Sequence, residues 1–150
     1  MDLNNFQRLG SEHNAGVGRL FEDMAKMFFL AREGIVLSPN FSIEVGVSTK
    51  KKPHRFDLGS AAPRVLVECK SHTWTQSGNM PSAKLTVWNE AMYYFHVAPP
   101  DYRKIMFVLK HTRREVSLAS YYLKTYGHLV PDNVEVWEFN TDAQSGEQLR

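Results

Sequence analysis

The stretch "RVLVECKSH", Arg64 to His72, restricts the fold more than any other part of the chain. Val65, Leu66 and Val67 follow one another, so neither face of this strand is left for water. A strand buried on both faces needs a layer packed on each side. That requirement points to a sheet sandwiched between helices. Charged groups then close the run. Residues two apart on a strand point the same way, so Glu68 and Lys70 share one face while Val67 and Cys69 take the other. The preceding apolar run, "HRFDL", carries a further carboxylate, Asp57. Charges are rarely left inside strands unless something pairs with them.

The remaining chain supplies the layers. Val17, Leu20, Phe21, Met24, Phe28 and Ala31 recur at helical steps, which predicts a helix from about Asn14 to Arg32. Asn14 would be its N-cap and Gly34 its stop. "FSIEVGVS" alternates like a half-buried strand, and "HRFDL" and "RVLVECK" are the second and third strands. "SHTWTQSGNMPS" reads as a polar loop. Pro81 and Ser82 open a second helix, about Ala83 to Val97, halted by Pro99 and Pro100. "KIMFVLK" is a buried strand, "EVSLASYYLKTYG" a helix and "VEVWEF" a last strand. The order α, three strands, α, strand, α, strand predicts an α/β domain with a mixed sheet.

Composition removes several classes. A chain of 150 residues, 43% hydrophobic and 23% charged, is sufficient for one domain with its own core. Cys69 is the single cysteine, which excludes a disulfide framework and a cysteine-rich zinc cluster. No apolar run is long enough to span a membrane, and "MDLNNFQRLGSEHN" lacks the basic flank and apolar block of a secretion signal. A cytoplasmic protein with no membrane partner is the expectation. The net charge of +2 does not decide for or against nucleic acid, because the distribution of charge matters more than its sum. "KKKPHR" and "KHTRR" are basic clusters, and the C-terminal segment is acidic.

The chemistry turns on where Asp57 lies relative to Glu68. A Gly/Ser/Ala/Pro turn, "GSAAP", places Asp57 near the turn and Glu68 further from it. The two carboxylates then meet only if the strands twist, bulge or splay. If they meet in a partly dry site, a divalent cation relieves their repulsion. Hard oxygen donors suit Mg²⁺, with Mn²⁺ as a substitute, and the backbone carbonyl of Val67 is a further candidate donor. Lys70 beside such a metal calls for an additional anion, and a phosphate fits. The residues alone leave open an exposed Glu68–Lys70 ion pair of little energetic weight.

"FDL…VLVECKS" resembles the core motif of the PD-(D/E)xK, or restriction-endonuclease-like, nuclease superfamily: an Asp ending one strand, then an apolar strand ending in Glu-x-Lys. The resemblance covers about Asn14 to Lys110. It implies an αβββαβ core, with a central mixed sheet flanked by helices, in a single domain spanning residues 1–150. It also implies metal-dependent hydrolysis of DNA phosphodiesters, probed most simply as an endonuclease. By position Asp57 and Glu68 become metal ligands, Lys70 the catalytic lysine, and Glu22 a contribution from the first helix. Phe56 stands where the motif has proline, and "NEAMY", with Asn89 and Tyr93, departs from the Gln-x-x-x-Tyr of some exonuclease branches.

Nucleic-acid contacts are expected from Lys51, Lys52 and Arg55, from Lys84 at the start of the second helix, and from Arg113. Trp74 and Gln76 in the polar loop are candidates for stacking or base-edge contacts. Double-strand cleavage would call for a homodimer, and a partner protein could supply specificity. The competing expectation is a non-catalytic nucleic-acid-binding or assembly module on the same fold. The six histidines are scattered and make no zinc pattern.

Overall fold

The structure, a computed structural model, describes residues 11–150. Most of the opening segment read for a secretion signal lies outside the described residues. The elements are α1 (Ser11–Glu33), β1 (Ser38–Val45), β2 (Lys52–Ala61), β3 (Arg64–Lys70), α2 (Ser82–Val97), β4 (Arg103–Leu109), β5 (Thr112–Arg113), β6 (Val116–Ser117), α3 (Leu118–Tyr126), β7 (Val134–Asn140) and β8 (Ser145–Gln148). Six strands form one mixed sheet in the order β1-β2-β3-β4-β7-β8, and β5 pairs with β6 in a small separate ribbon. The expected α/β sandwich is present. The ribbon and β8 are additions to it.

β3 has the two-sided cover its sequence calls for. Leu66 packs with Leu85, Trp88 and Phe95 of α2 and Tyr122 of α3, while Val65 and Val67 pack with Phe21, Ala25 and Phe29 of α1. β3 runs antiparallel to β2 and parallel to β4, and β4 runs parallel to β7. Its central position, with helices above and below, is what keeps its terminal charges away from bulk water.

α1 is turned relative to the expected stripe. Of that stripe Val17 and Phe21 are buried and Met24 and Phe28 pack partly buried on the same core, but Leu20 is 40% exposed and Ala31 lies outside, and Ala25 and Phe29 are the fully buried residues. The core therefore draws on the Ala25–Phe29 side of the helix, beside Glu22. Asn14 lies within the helix and does not cap it, while Gly34 ends it in the left-handed region (φ +69°), its N–H bonded to Leu30 O at 2.9 Å. None of the helices among the described residues is long and apolar enough to cross a membrane.

The β2–β3 turn also differs from expectation. Strand pairing continues through Gly59, Ser60 and Ala61, opposite Leu66, Val65 and Arg64, so only Ala62 and Pro63 turn the chain. Gly59 is a packing glycine here: a Cβ on it would lie 2.4 Å from the Phe41 ring.

Candidate functional site

β2 and β3 pair from Ala61–Arg64 to Leu58–Val67 and no further. The next rung in this register would be Asp57 opposite Glu68, since 57 + 68 equals 58 + 67. At that rung the strands part. β2 continues beside β1 alone, and β3 continues beside β4 to Lys70. The acids thus face each other at the mouth of a fork, equally far from the turn, which corrects the expectation that Glu68 lies further out. The strand pleat is broken at the same point. Phe56 packs on the α2 side and Leu58 on the α1 side although they are two residues apart. Across the β1–β2 ladder, Asn40 beside this break holds a positive φ of 52°.

The fork leaves a β3 backbone donor without a ladder partner, and Asp57 supplies one. The Cys69 N–H donates to Asp57 Oδ2 at 2.8 Å, so the carboxylate stands where a β2 carbonyl would otherwise be. Burial, then the charges of Glu68 and Glu22, push Asp57 up to about 7, against the lowering effects of the Cys69 N–H and Lys70. Glu22 is raised as well, by burial first and then by Asp23 and Glu68. The turned α1 therefore brings Glu22 into electrostatic contact with both strand acids.

Glu68 and Lys70 are each only 8% exposed, which excludes the solvent-exposed ion pair left open by the sequence. Lys70 Nζ is 3.8 Å from Glu68 Oε2, and His54 Nε2 is 3.9 Å from Glu68 Oε1. Neither pair is within hydrogen-bonding distance. His54 is itself fixed by stacking on Tyr94 of α2, with centroids 3.6 Å apart and planes 9° apart, and by an edge contact with Phe56. His54, Glu68, Lys70, Glu90 and Tyr94 border a hollow of about 100 Å³. A larger one, about 610 Å³, opens near Lys51, His96 and Pro99 at the far end of the β1–β2 hairpin. It is open to solvent and remote from the acid cluster, so its size does not make it the site.

Cys69 faces the α1 side, and burial together with Asp57, Glu22 and Glu68 holds its thiol protonated. Among the described residues no three His, Cys, Asp or Glu side chains make a ready metal cage. The donor set is that of a hard cation held more sparingly. Mg²⁺ commonly takes one or two carboxylates and fills its other positions with water or substrate phosphate. Asp57 and Glu68 face a single ammonium, that of Lys70, and Glu22 is raised despite the lowering effect of Arg19, so with Asp57 driven up to about 7 the site is short of positive charge. These residues fit such an ion, with Asp57 and Glu68 as holders. The Val67 side chain is fully buried on the α1 side, on the last paired rung.

The expected nucleic-acid contacts divide. Trp74 is not a stacking platform: it is 4% exposed, its indole N–H donates to Val116 O at 3.1 Å, and its backbone N–H donates to His111 Nδ1 at 3.0 Å. The ribbon β5–β6, far along the chain, buries it. Arg113 lies over the Trp74 ring at 4.2 Å. The polar loop is drawn tight through Thr75, Ser77 and Asn79, with Gln76 exposed on it. Lys51 and Lys52 sit at the hairpin tip, Lys52 five residues or ~17 Å of strand from Asp57 and Lys51 one residue further, and Lys51 Nζ donates to Gly46 O at 2.8 Å. Arg55 and Lys84 are exposed, Arg55 two residues from Asp57 and Lys84 acting on His72. Asn89 accepts from Tyr122 Oη–H at 2.8 Å and Tyr93 is 59% exposed, so Glu90 of "NEAMY", rather than these two, borders the hollow beside Glu68 and Lys70.

Sequence reasoning favours a solvent-facing loop histidine for His54 and gives Tyr94 no role, because their stacking pairs a strand with a helix 40 residues away. Glu138 it passed over entirely. This residue shares the rung of Lys70 and Val108, is 5% exposed, and has Oε2 without a partner among the described residues. Comparison with protein-family models, curated proteins and solved structures finds no match to this chain.

Proposed function

We propose that the chain is a Mg²⁺-dependent nuclease of restriction-endonuclease-like type that hydrolyses DNA phosphodiester bonds. The observation that carries this reading is the fork: Asp57 and Glu68 face each other where β2 and β3 part, with Lys70 buried beside Glu68. A binding module has no use for an acid cluster where a phosphate must approach. In a purely structural cluster each carboxylate would be tied to its cation by direct hydrogen bonds, whereas Lys70 Nζ stands 3.8 Å from Glu68.

Magnesium held by Asp57 and Glu68 would supply a Lewis acid for the phosphoryl oxygens and acidify a bound water. The chain's own groups do the rest. Asp57, tied to the Cys69 N–H, keeps one carboxylate oxygen oriented into the fork. Lys70 Nζ, short of hydrogen-bonding distance from Glu68, is free to orient the attacking water and to offset charge building on the phosphate. Glu22 adds negative potential from α1, and the stack of His54 on Tyr94 walls the site on the α2 side. One site cuts one strand, so cleavage of both strands takes two copies.

The test uses supercoiled, linear and branched DNA with Mg²⁺ or Mn²⁺. Wild type should cut, and Asp57→Ala and Lys70→Ala should not. Metal-independent binding without cleavage in all three proteins would replace the nuclease by a binding module.

A further inference from the structure

Beyond the acids, β3 leads into a group of donors that the cleavage chemistry does not use. His72 lies two residues after Lys70, a reach of at most ~7 Å. Trp88 of α2 is fully buried, and its indole N–H donates to His72 Nδ1 at 2.8 Å. A ring nitrogen that accepts cannot carry the proton, so the neutral imidazole bears it on Nε2. The bond to Trp88 thereby fixes the tautomer and turns His72 into a donor directed away from the core. Nε2 has no partner among the described residues. Among the described residues the fully buried polar atoms left without one are Arg113 Nε and Glu138 Oε2, and His72 itself is half-buried.

Lys84 completes the group. It stands four residues before Trp88 on α2, hence on the same helix face, and its side chain is exposed. The first turn of α2 holds no acidic residue. Burial, then Lys70 and Lys84, hold His72 down at about 4, so the ring stays neutral at working pH. The charged groups acting on His72 are cations, with no carboxylate between them. This is the reverse of the fork a few ångströms up the strand, where acids outnumber cations.

We infer that His72 and Lys84 form a phosphodiester subsite, which holds the backbone phosphate next to the one cleaved. The inference rests on the nuclease reading and adds where the substrate strand runs: from the fork, past Lys70, to the start of α2. His72 contributes a neutral hydrogen bond and Lys84 a charge. The two contacts therefore differ in their response to salt.

The experiment measures binding of a labelled DNA duplex by fluorescence anisotropy across a salt series, in an Asp57→Asn background that prevents cleavage. His72→Asn keeps an acceptor for Trp88 at the Nδ1 position, but its shorter amide cannot place a donor where Nε2 stood. It should weaken binding about 3- to 10-fold at every salt concentration, the range of one neutral hydrogen bond. The loss should be the same between about pH 6 and 8.5, where a cationic histidine would change. Lys84→Ala should lower the slope of log K against log salt by about one phosphate contact. Thermal midpoints check that both variants fold, and Lys84→Ala, an exposed change, decides the matter if His72→Asn does not. If the background protein binds and both variants match it in affinity and slope, the subsite is overturned while the nuclease reading stands. If the background protein does not bind and wild type does not cut, the nuclease reading fails and takes the subsite with it.

Discussion

Two charged clusters lie at opposite ends of the same sheet, and they are built on opposite principles. At the start of β4, Arg103 donates to Glu135 at 2.6 and 3.1 Å and to Glu33 at 2.9 and 3.2 Å. Each carboxylate there meets a guanidinium fork, and hydrogen bonds to Glu135 lead the effects that raise Arg103 above its ordinary value. At the end of β3, Asp57 and Glu68 share one ammonium, which comes no closer to Glu68 than 3.8 Å, and Glu22 adds a third carboxylate beside them. The first cluster is complete and ties α1 to two strands. The second is left short of charge in a buried place, a cost that folding alone does not explain. A fold retains such a deficit where something else arrives to fill it. The deficit also lies at the carboxyl end of parallel-paired strands, where open α/β sheets commonly bind ligands.

The sharpest way to break this contrast is to treat the clusters alike. Lys70→Met should reduce cleavage of supercoiled DNA by about a thousand-fold or more, because charge stabilisation at the phosphate is lost, and should barely move the unfolding midpoint. Arg103→Met should do the reverse. With two carboxylates stranded, it should cost about 2 kcal/mol in urea unfolding and leave the specific activity of the folded protein unchanged. If Arg103→Met abolishes cleavage without loss of stability, the division between the clusters is wrong.

The sequence made one half of the site readable and hid the other for physical reasons. The aliphatic run Val65–Val67 announced a strand covered on both sides, and the period of two put Glu68 and Lys70 on one face. Asp57 opposite Glu68 was not legible. Gly59, Ser60 and Ala61 have turn composition, yet they continue the strand because the Phe41 ring fills the space that a Cβ at Gly59 would need. Trp74 looked like a loop aromatic because the ribbon that buries it comes 42 residues later. Glu22 was ambiguous because it lies off the apolar stripe that helical periodicity picks out, and only the packing of Phe21 and Phe29 on Phe107 and Trp137 turns its side of the helix toward the sheet. β8, "SGEQ", has no apolar signal at all; it is held by pairing to β7.

The subtlest test concerns the charge deficit itself. Asp57 titrates at about 7 in the folded chain against an ordinary value of 3.8, so folding takes up a proton between those limits. A raised folded value contributes stability that is fully present below about 4 and is lost as pH rises through about 7. The metal-free protein should therefore lose stability from about pH 4 to 8 at this position. Asp57→Asn keeps an oxygen for the Cys69 N–H and removes the charge. It should be more stable than wild type at pH 8 without metal, by about 1 kcal/mol, and the gain should vanish in acid. Mg²⁺ should stabilise wild type at pH 8 by mass action and leave Asp57→Asn unmoved. The alternative outcome is equally definite. If Asp57→Asn is the less stable protein at pH 8 without metal, then Asp57 belongs with Glu33 and Glu135 as a structural acid, and the fork has no vacancy of charge for a cation to fill.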